Sequence, residues 1–240
     1  MLPRSALSST LLAVLSSLSL ALAKDEASLQ WAICDTNPQD ALMKLGLAST
    51  TPPYKENPVT YYDEQPPAYI YSGLMFRTKT NKGQPLSVVK VRFEDQTSDV
   101  PDFVECGWNS YGENWPTYTC EKRCPLSSPP KEIWRDEQVR FAQRYESVNW
   151  DALHPFGPYM NPKWKIRIDG YKAKFDDVRA EGLHLMEIET KVPLAEEREV
   201  VKRITSYLVD RGVVLCERQE GKTMRLFQSM GYIGDERLEL

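Results

Sequence analysis

Four segments of the chain carry charged residues at every second position, separated by apolar or small residues. These charged pairs are Arg77 and Lys79, Lys90 and Arg92, Lys165 and Arg167, and Glu187 and Glu189. Because residues i and i+2 of a β-strand point to the same face, each segment is predicted to be a strand with one charged and one apolar face.

Two arrangements of these strands fit the pattern. In the first, the charged faces are simply the water-facing side of an antiparallel sheet. In the second, the sheet curls so that the charged faces line a channel and helices pack on its apolar outside. Clustered Arg and Lys would repel one another there unless a polyanion were bound, and Glu187 and Glu189 could hold a hard divalent cation such as Mg²⁺. Phosphoryl chemistry requires that combination of cations and carboxylates.

Helix and strand signals place these segments in a strand-rich α+β chain. Helices are predicted at residues 38–45, 131–148 and 194–210. A hairpin is expected between residues 69–80 and 86–94, and a second one between residues 213–216 and 223–227. Further strands are predicted at residues 164–169, 171–175 and 184–191, and residues 95–130 are predicted to be irregular.

The N-terminus has the features of a secretory signal peptide over residues 1–23. Arg4 precedes a short apolar run, and Ala21-Leu22-Ala23 resembles a cleavage site. An N-terminal membrane anchor is the alternative, but serines interrupt the run and it is short of about 20 residues. The mature chain, beginning near Lys24, is therefore expected to be secreted, with no membrane contact after cleavage, and its cysteines would meet an oxidising environment.

The five cysteines leave at least one thiol unpaired. We expect Cys120 to pair with either Cys106 or Cys124, and Cys34 to pair with Cys216. The C-x3-C spacing of Cys120 and Cys124 leaves a zinc site as the rival interpretation.

Composition excludes several classes of protein. The 240 residues carry a formal net charge of -4 and are 41% hydrophobic, which argues against a basic nucleic-acid domain, and hence a duplex partner, and against a multi-span membrane protein. One domain over residues 24–240 is expected, with a cysteine-containing insertion at about 95–130. His154 and His184 are the chain's two histidines, and no nucleophile elbow or P-loop motif is present. A small polyanion inside the protein remains compatible with this charge balance, because the acidic residues lie largely elsewhere.

Residues 60–63, 71–79 and 86–92 together resemble the CYTH superfamily, which contains adenylate cyclases, thiamine triphosphatase and triphosphate tunnel enzymes. Gly73 leads through Leu74 to Arg77 and Lys79, much as the family's G-x-x-L-R-x-R segment does, and a hairpin strand carrying Lys90 follows. Residues 175–189 resemble the family's late strand, in which an E-x-E pair follows a short turn.

This resemblance implies an antiparallel β-barrel or tunnel of about eight strands with helices packed outside. It implies a triphosphate or polyphosphate ligand, Mg²⁺ or Mn²⁺, and the activity of a metal-dependent triphosphate phosphohydrolase. The resemblance assigns phosphate contacts to Arg77, Lys79, Lys90, Arg92 and Arg167, to which the strand pattern adds Lys165. It assigns metal binding to Glu187 and Glu189.

One departure from the family pattern concerns the first strand. The family's E-x-E-x-K signature is expected near residues 29–33, where this chain has no glutamate. The same letters occur at residues 187–191, near the other end of the chain. The alternative function is therefore a non-catalytic secreted interaction protein that kept the barrel and lost the chemistry. A protein partner would then contact the aromatic and cysteine-bearing loop at 106–124.

Overall fold

The computed structural model describes residues 26–127 and 132–234, so the predicted signal peptide lies outside the described residues. The helices are α1 (Pro38–Lys44), α2 (Asp136–Gln143), α3 (Glu197–Asp210) and α4 (Lys222–Ser229). The strands are β1 (Glu26–Ile33), β2 (Lys55–Glu56), β3 (Val59–Asp63), β4 (Leu74–Asn81), β5 (Gln84–Phe93), β6 (Glu105–Tyr111), β7 (Thr117–Pro125), β8 (His154–Tyr159), β9 (Pro162–Ile168), β10 (Tyr171–Ala180) and β11 (Leu183–Pro193). No helix within the described ranges is long and apolar enough to cross a membrane.

All eleven strands join one sheet in the order β2-β9-β10-β11-β1-β6-β7-β5-β4-β3-β8. Among the described strand pairs, β1 and β6 run parallel and the others antiparallel. The sheet curls until the Arg179 N–H donates to the Met160 carbonyl, 2.9 Å away, so that the chain just after β8 meets β10.

The sheet has eleven strands and its ladder does not close, whereas a barrel of about eight strands was predicted. The edge strands explain the open ladder. Strand β8 contains Pro155 and Pro158, which have no N–H to donate, and β2 is two residues long between Pro53 and Pro58.

The outer face of the sheet is apolar and carries helices α1, α2 and α3, as the alternating pattern predicts. Trp31 of β1 and Ile188 of β11 are fully buried against Ile204 of α3. Around β4 and β5, Phe76 packs in a cluster with Phe141 of α2. These two clusters place most of the hydrophobic core on one side of the sheet, which leaves the alternate residues on the inner face.

Helix α4 packs against the inner face at one end of the curled sheet. Phe227 lies in a buried cluster with Tyr61 of β3 and Val178 of β10, two inner-face residues. This region was predicted to be a hairpin strand, and that prediction is wrong. Polar and apolar residues alternate from Thr223 to Leu226 as they would in a strand, and the helical amphipathicity appears only over the whole of Lys222–Ser229. The partner strand predicted at 213–216 is also wrong, since this segment forms one isolated bridge, between Leu215 and Ile33.

Three other predicted elements differ from the structure. Residues 95–130, predicted to be irregular, contain β6 and β7, which link β1 to β5 within the sheet. The helix predicted at 131–148 is the shorter α2, because the Gln138 side chain accepts the Arg135 N–H and fixes the helix start there. Tyr69–Ser72, predicted to begin a strand, is a 3₁₀ turn, since the buried Asp63 carboxylate accepts the N–H groups of Tyr69 and Ile70.

Two disulfides settle the cysteine pairing. Cys34 bonds to Cys216 and Cys106 to Cys120, while Cys124 is a buried thiol. The first bond joins the segment after β1 to the segment that leads into α4. Because Cys120 is already in a disulfide, the zinc interpretation of the C-x3-C spacing is wrong.

The two disulfides are expected to differ in their contribution to stability. Cys34 and Cys216 are 182 residues apart and Cys106 and Cys120 are 14 apart, so the first bond restricts the unfolded chain more. Replacing both members by Ser should lower the free energy of unfolding by about 5 kcal/mol for the first pair and about 3 kcal/mol for the second. Guanidinium unfolding measures both, with Cys124→Ala as the control. Equal losses, or a larger loss from the second pair, would contradict this ranking.

Candidate anion-binding site

A group of cations lies on the inner face where β4, β5 and β7 run side by side. Lys90 is directly opposite Glu121, and Arg77 and Arg123 occupy neighbouring inner-face positions flanking the same carboxylate. The distance from Arg77 Nη2 to Glu121 Oε2 is 4.0 Å, and Arg123 contacts Glu121 directly. Lys79 follows Arg77 on the same face. We call Arg77, Lys79, Lys90 and Arg123 the basic cluster.

The cations of the basic cluster are only partly compensated. Repulsion from Arg77, followed by burial, lowers the pKa of Lys79 to about 6. The charges of Arg123 and Lys163 add to this effect, and Glu121 opposes it. Burial alone would raise the pKa of Glu121, yet the surrounding cations, Lys90 first, lower it. The site therefore has an excess of positive charge that would favour an anion.

Lys163 shows that the curl of the sheet brings distant strands together. It lies on β9, near the other edge of the sheet from β4, yet its charge acts on Lys79. The charged faces are thus turned inward, as in the second of the two arrangements suggested by the sequence, but the sheet is open and α4 lies on its inner face.

The six predicted phosphate contacts fall into three places. Arg77, Lys79 and Lys90 lie together in the basic cluster. Arg92 lies further along β5, where its Nη2 donates to the Tyr111 hydroxyl at 3.0 Å.

Lys165 and Arg167 are exposed on β9 and line a separate open cavity of about 700 Å³. The other charged residues lining this cavity are Lys172, Lys174, Lys191 and Glu189. It forms a second basic region, on the inner face of β9, β10 and β11.

The two predicted metal ligands, Glu187 and Glu189, share the inner face of β11. Glu187 is buried, and its Oε1 lies 3.3 Å from Lys222 Nζ of helix α4. Lys222 also contacts Asp176 of β10, which bonds in turn to Lys163 at 2.5 Å. Glu189 is less buried and accepts a hydrogen bond from the Ser28 hydroxyl at 3.2 Å. An ammonium group thus lies between two of the carboxylates.

The charged groups of this cluster shift one another's pKa values. Burial opposes ionisation of Asp176, but Lys222 and Lys163 outweigh it and lower the pKa of Asp176 to about 2. Burial and the neighbouring carboxylates Asp176 and Glu189 raise the pKa of Glu187, and Lys222 opposes this. Burial also disfavours the charged form of Lys222, yet Asp176 and Glu187 raise the pKa of this ammonium above its ordinary value.

Strand β1, which pairs with one side of β11, places no carboxylate beside Glu187 or Glu189. Ala32 of β1 is paired with Glu187, and Gln30 is paired with Glu189. Across residues 26–127 and 132–234, no three His, Cys, Asp or Glu side chains are grouped so that they could hold a metal ion. The residues present therefore do not fit the Mg²⁺ or Mn²⁺ centre that the sequence resemblance implies, because such an ion needs several oxygen ligands and Lys222 fills this place.

Comparison with solved structures identifies the fold of the chain. No protein-family model and no curated protein sequence matches the chain. Among solved structures, HpAC1 from Hippeastrum, an adenylyl cyclase homologue described as having a dominant triphosphatase activity, aligns over 88% of this chain and 98% of its own, at 11% identity and a TM-score of 0.52. An adenylate cyclase homologue from Bacillus halodurans, bh2851, aligns over 85% of this chain and 97% of its own, at 14% identity and a TM-score of 0.55. The chain has a CYTH-like fold.

Sequence reasoning missed several residues of this CYTH-like inner face. Glu121 and Arg123 show the same i, i+2 alternation as the predicted pairs, but they lie in a segment predicted to be irregular. Lys163 continues the alternation of Lys165 and Arg167 by one step and could have been found. Lys222 could not, because its place depends on how α4 packs.

Lys79 is expected to make the stability of the CYTH-like domain depend on pH. Its pKa is about 6 in the folded protein and 10.5 ordinarily, so between these values the unfolded chain binds a proton that the folded chain does not. The free energy of unfolding should therefore rise with pH over this range. Lys79→Met should remove this contribution, so that the variant is more stable than the wild type near pH 6.5 and the two converge towards pH 10.

Urea unfolding between pH 6 and pH 10 measures this difference. Lys202→Met, at an exposed lysine of α3, is the matched control and should follow the wild-type profile. Parallel profiles for the wild type and Lys79→Met would show that Lys79 is not strongly perturbed.

Proposed function

We propose that the protein binds a small polyphosphate, of the triphosphate class, on the inner face of its sheet. The observation that carries this proposal is the incompletely compensated charge of the basic cluster. Its four basic side chains face two carboxylates, Glu121 and Glu105, and Glu105 contacts only Arg123 of the four and is exposed. Holding Lys79 beside Arg77 does not stabilise the protein by itself, and a bound anion would offset the repulsion between these two side chains.

The spacing of the cluster suits several phosphates rather than a single carboxylate. Arg77 and Lys90 lie on neighbouring strands, and Arg77 and Lys79 are two residues apart on one strand. Lys90 is diagonal to Arg77 rather than directly opposite it, so both kinds of neighbour are about 7 Å apart. Long side chains from such positions can converge on different phosphate groups of one short polyphosphate. Arginine offers paired donors to phosphate oxygens, and lysine offers a point charge.

We further propose that binding occurs without hydrolysis. The fold is that of proteins such as HpAC1, but Ala32, Gln30 and the Lys222 ammonium stand around Glu187 and Glu189. A protein that kept the sheet and lost the metal centre is the function this donor set supports. The triphosphatase activity described for HpAC1 belongs to that protein.

We also propose that the protein is secreted as a single domain over residues 24–240. The two disulfides and the signal-like sequence of residues 1–23 support an oxidising compartment. The proposed protein-contact surface at 106–124 corresponds to β6, β7 and their connecting loop, where Trp115 is 80% exposed. Trp108 and Tyr118 instead pack edge to face against each other.

Tripolyphosphate should raise the melting temperature of the wild-type protein, because a ligand that binds only the folded state stabilises it. Arg77→Ala combined with Lys90→Ala should lower the affinity at least about tenfold, since each removes a charge-assisted hydrogen bond. Isothermal titration calorimetry with tripolyphosphate measures the affinity, and Lys202→Met should bind like the wild type. An unchanged affinity in the double variant would contradict the proposed site.

No phosphate release from tripolyphosphate or ATP is expected above the background of a mock preparation, with either Mg²⁺ or Mn²⁺ present. A colorimetric phosphate assay on purified protein checks this. Release that disappears in Glu189→Gln would show that the carboxylates of β11 support catalysis, and would overturn the assignment of a binding function.

A further inference from the structure

Helix α4 places the Lys222 side chain against two carboxylates of the inner face, those of Asp176 and Glu187. We infer that the Lys222 ammonium takes the place of a divalent cation between Asp176 and Glu187, so that polyphosphate binding needs no metal. The metal part of this inference concerns the protein alone, and the ligand part rests on the proposed function.

Helix α4 is fixed at its start by contacts with β1 and β11. The Gln219 side chain accepts the Ala32 N–H at 2.8 Å and donates to the Ala32 carbonyl at 3.0 Å. Arg225 Nη1 donates to the carbonyl of Met186 at 3.0 Å. Ala32 is paired with Glu187, and Met186 precedes it, so both contacts flank the carboxylate that Lys222 reaches. The Cys34–Cys216 disulfide holds the segment leading into α4.

The charges at this position already balance. Asp176 and Glu187 carry two negative charges when ionised, and Lys222 and Lys163 supply two positive charges in direct contact with them. A divalent cation would have to displace Lys222 and would then lie beside Lys163. It would find Ala32 where a third oxygen ligand could come from β1. With Lys222 in place, Mg²⁺ and Mn²⁺ therefore have neither free carboxylates nor the negative charge that they require.

The ammonium retains one capacity that a metal would provide. A lysine has three N–H donors, and contacts with Asp176 and Glu187 account for two. The third can donate to a phosphate oxygen. Free Mg²⁺ should then oppose binding, because it forms a complex with tripolyphosphate in solution and lowers the charge that the basic cluster attracts.

The test compares wild type, Lys222→Met, Lys222→Arg and Lys202→Met in two measurements. The first is the melting temperature with Mn²⁺ or Mg²⁺ and no phosphate. Wild type, Lys222→Arg and Lys202→Met should show no shift. Lys222→Met frees two carboxylates and should gain about 3 °C when Mn²⁺ is present at about ten times its Kd.

The second measurement is the affinity for tripolyphosphate in EDTA and in excess Mg²⁺. Wild type should bind at least as tightly in EDTA as in Mg²⁺, and Lys222→Met should bind at least about tenfold more weakly in EDTA. If Lys222→Met does not fold, the wild-type and Lys222→Arg arms still decide the inference.

Two results would overturn the inference. One is a wild-type melting temperature that rises with Mn²⁺ in the absence of phosphate. The other is tripolyphosphate binding that is at least tenfold weaker in EDTA than in Mg²⁺. Absence of tripolyphosphate binding under both conditions would instead count against the proposed function, and the phosphate-free Mn²⁺ measurement would still decide whether Lys222 excludes a metal.

Discussion

Repulsion between Arg77 and Lys79 on one strand, reinforced by Arg123 and by Lys163 across the curl, is the constraint around which the inner face is arranged. Like charges at such short range destabilise a folded protein unless something else holds them. The outer face does so here. Trp31, Phe76 and Phe141 are essentially fully buried on that side, where the apolar clusters hold the strands in register whatever the inner face carries. The core and the candidate site thus lie on opposite faces of the same strands, because apolar and charged residues alternate along them.

The inner face divides into two regions with opposite electrostatic character. At the α4 end, Asp176 and Glu187 are matched by Lys163 and Lys222, and apolar residues of α4 fill the neighbouring space. Away from α4, the basic cluster contacts Glu121 and, through Arg123, the exposed Glu105. Charge is therefore balanced where α4 covers the sheet and positive in excess at the basic cluster. This division supports the proposed binding of an anion without requiring of this chain the triphosphatase activity described for HpAC1.

Features set by residues that are close in the sequence could be predicted, whereas contacts between distant residues could not. The alternation of Arg77 with Lys79 and of Glu187 with Glu189 is a local signal, and it correctly predicted strands with a charged and an apolar face. The lack of glutamate in residues 29–33 can be read from the sequence, but the pairing of Ala32 with Glu187 is known only from the structure. The contact of Lys222 with Asp176 joins residues 46 positions apart. It depends on how helix α4 packs against the sheet, so no local pattern could have indicated it.

The Lys79 ammonium offers the most direct test of the central claim that the inner face holds an excess of positive charge awaiting an anion. Nuclear magnetic resonance titration of the lysine side chains, with assignment by Lys79→Met, measures its pKa in the presence and absence of tripolyphosphate. We predict a value of about 6 in the free protein and a rise of at least about one unit with ligand bound, because the bound anion favours the charged form. An ordinary lysine value in the free protein that tripolyphosphate leaves unchanged would contradict the account.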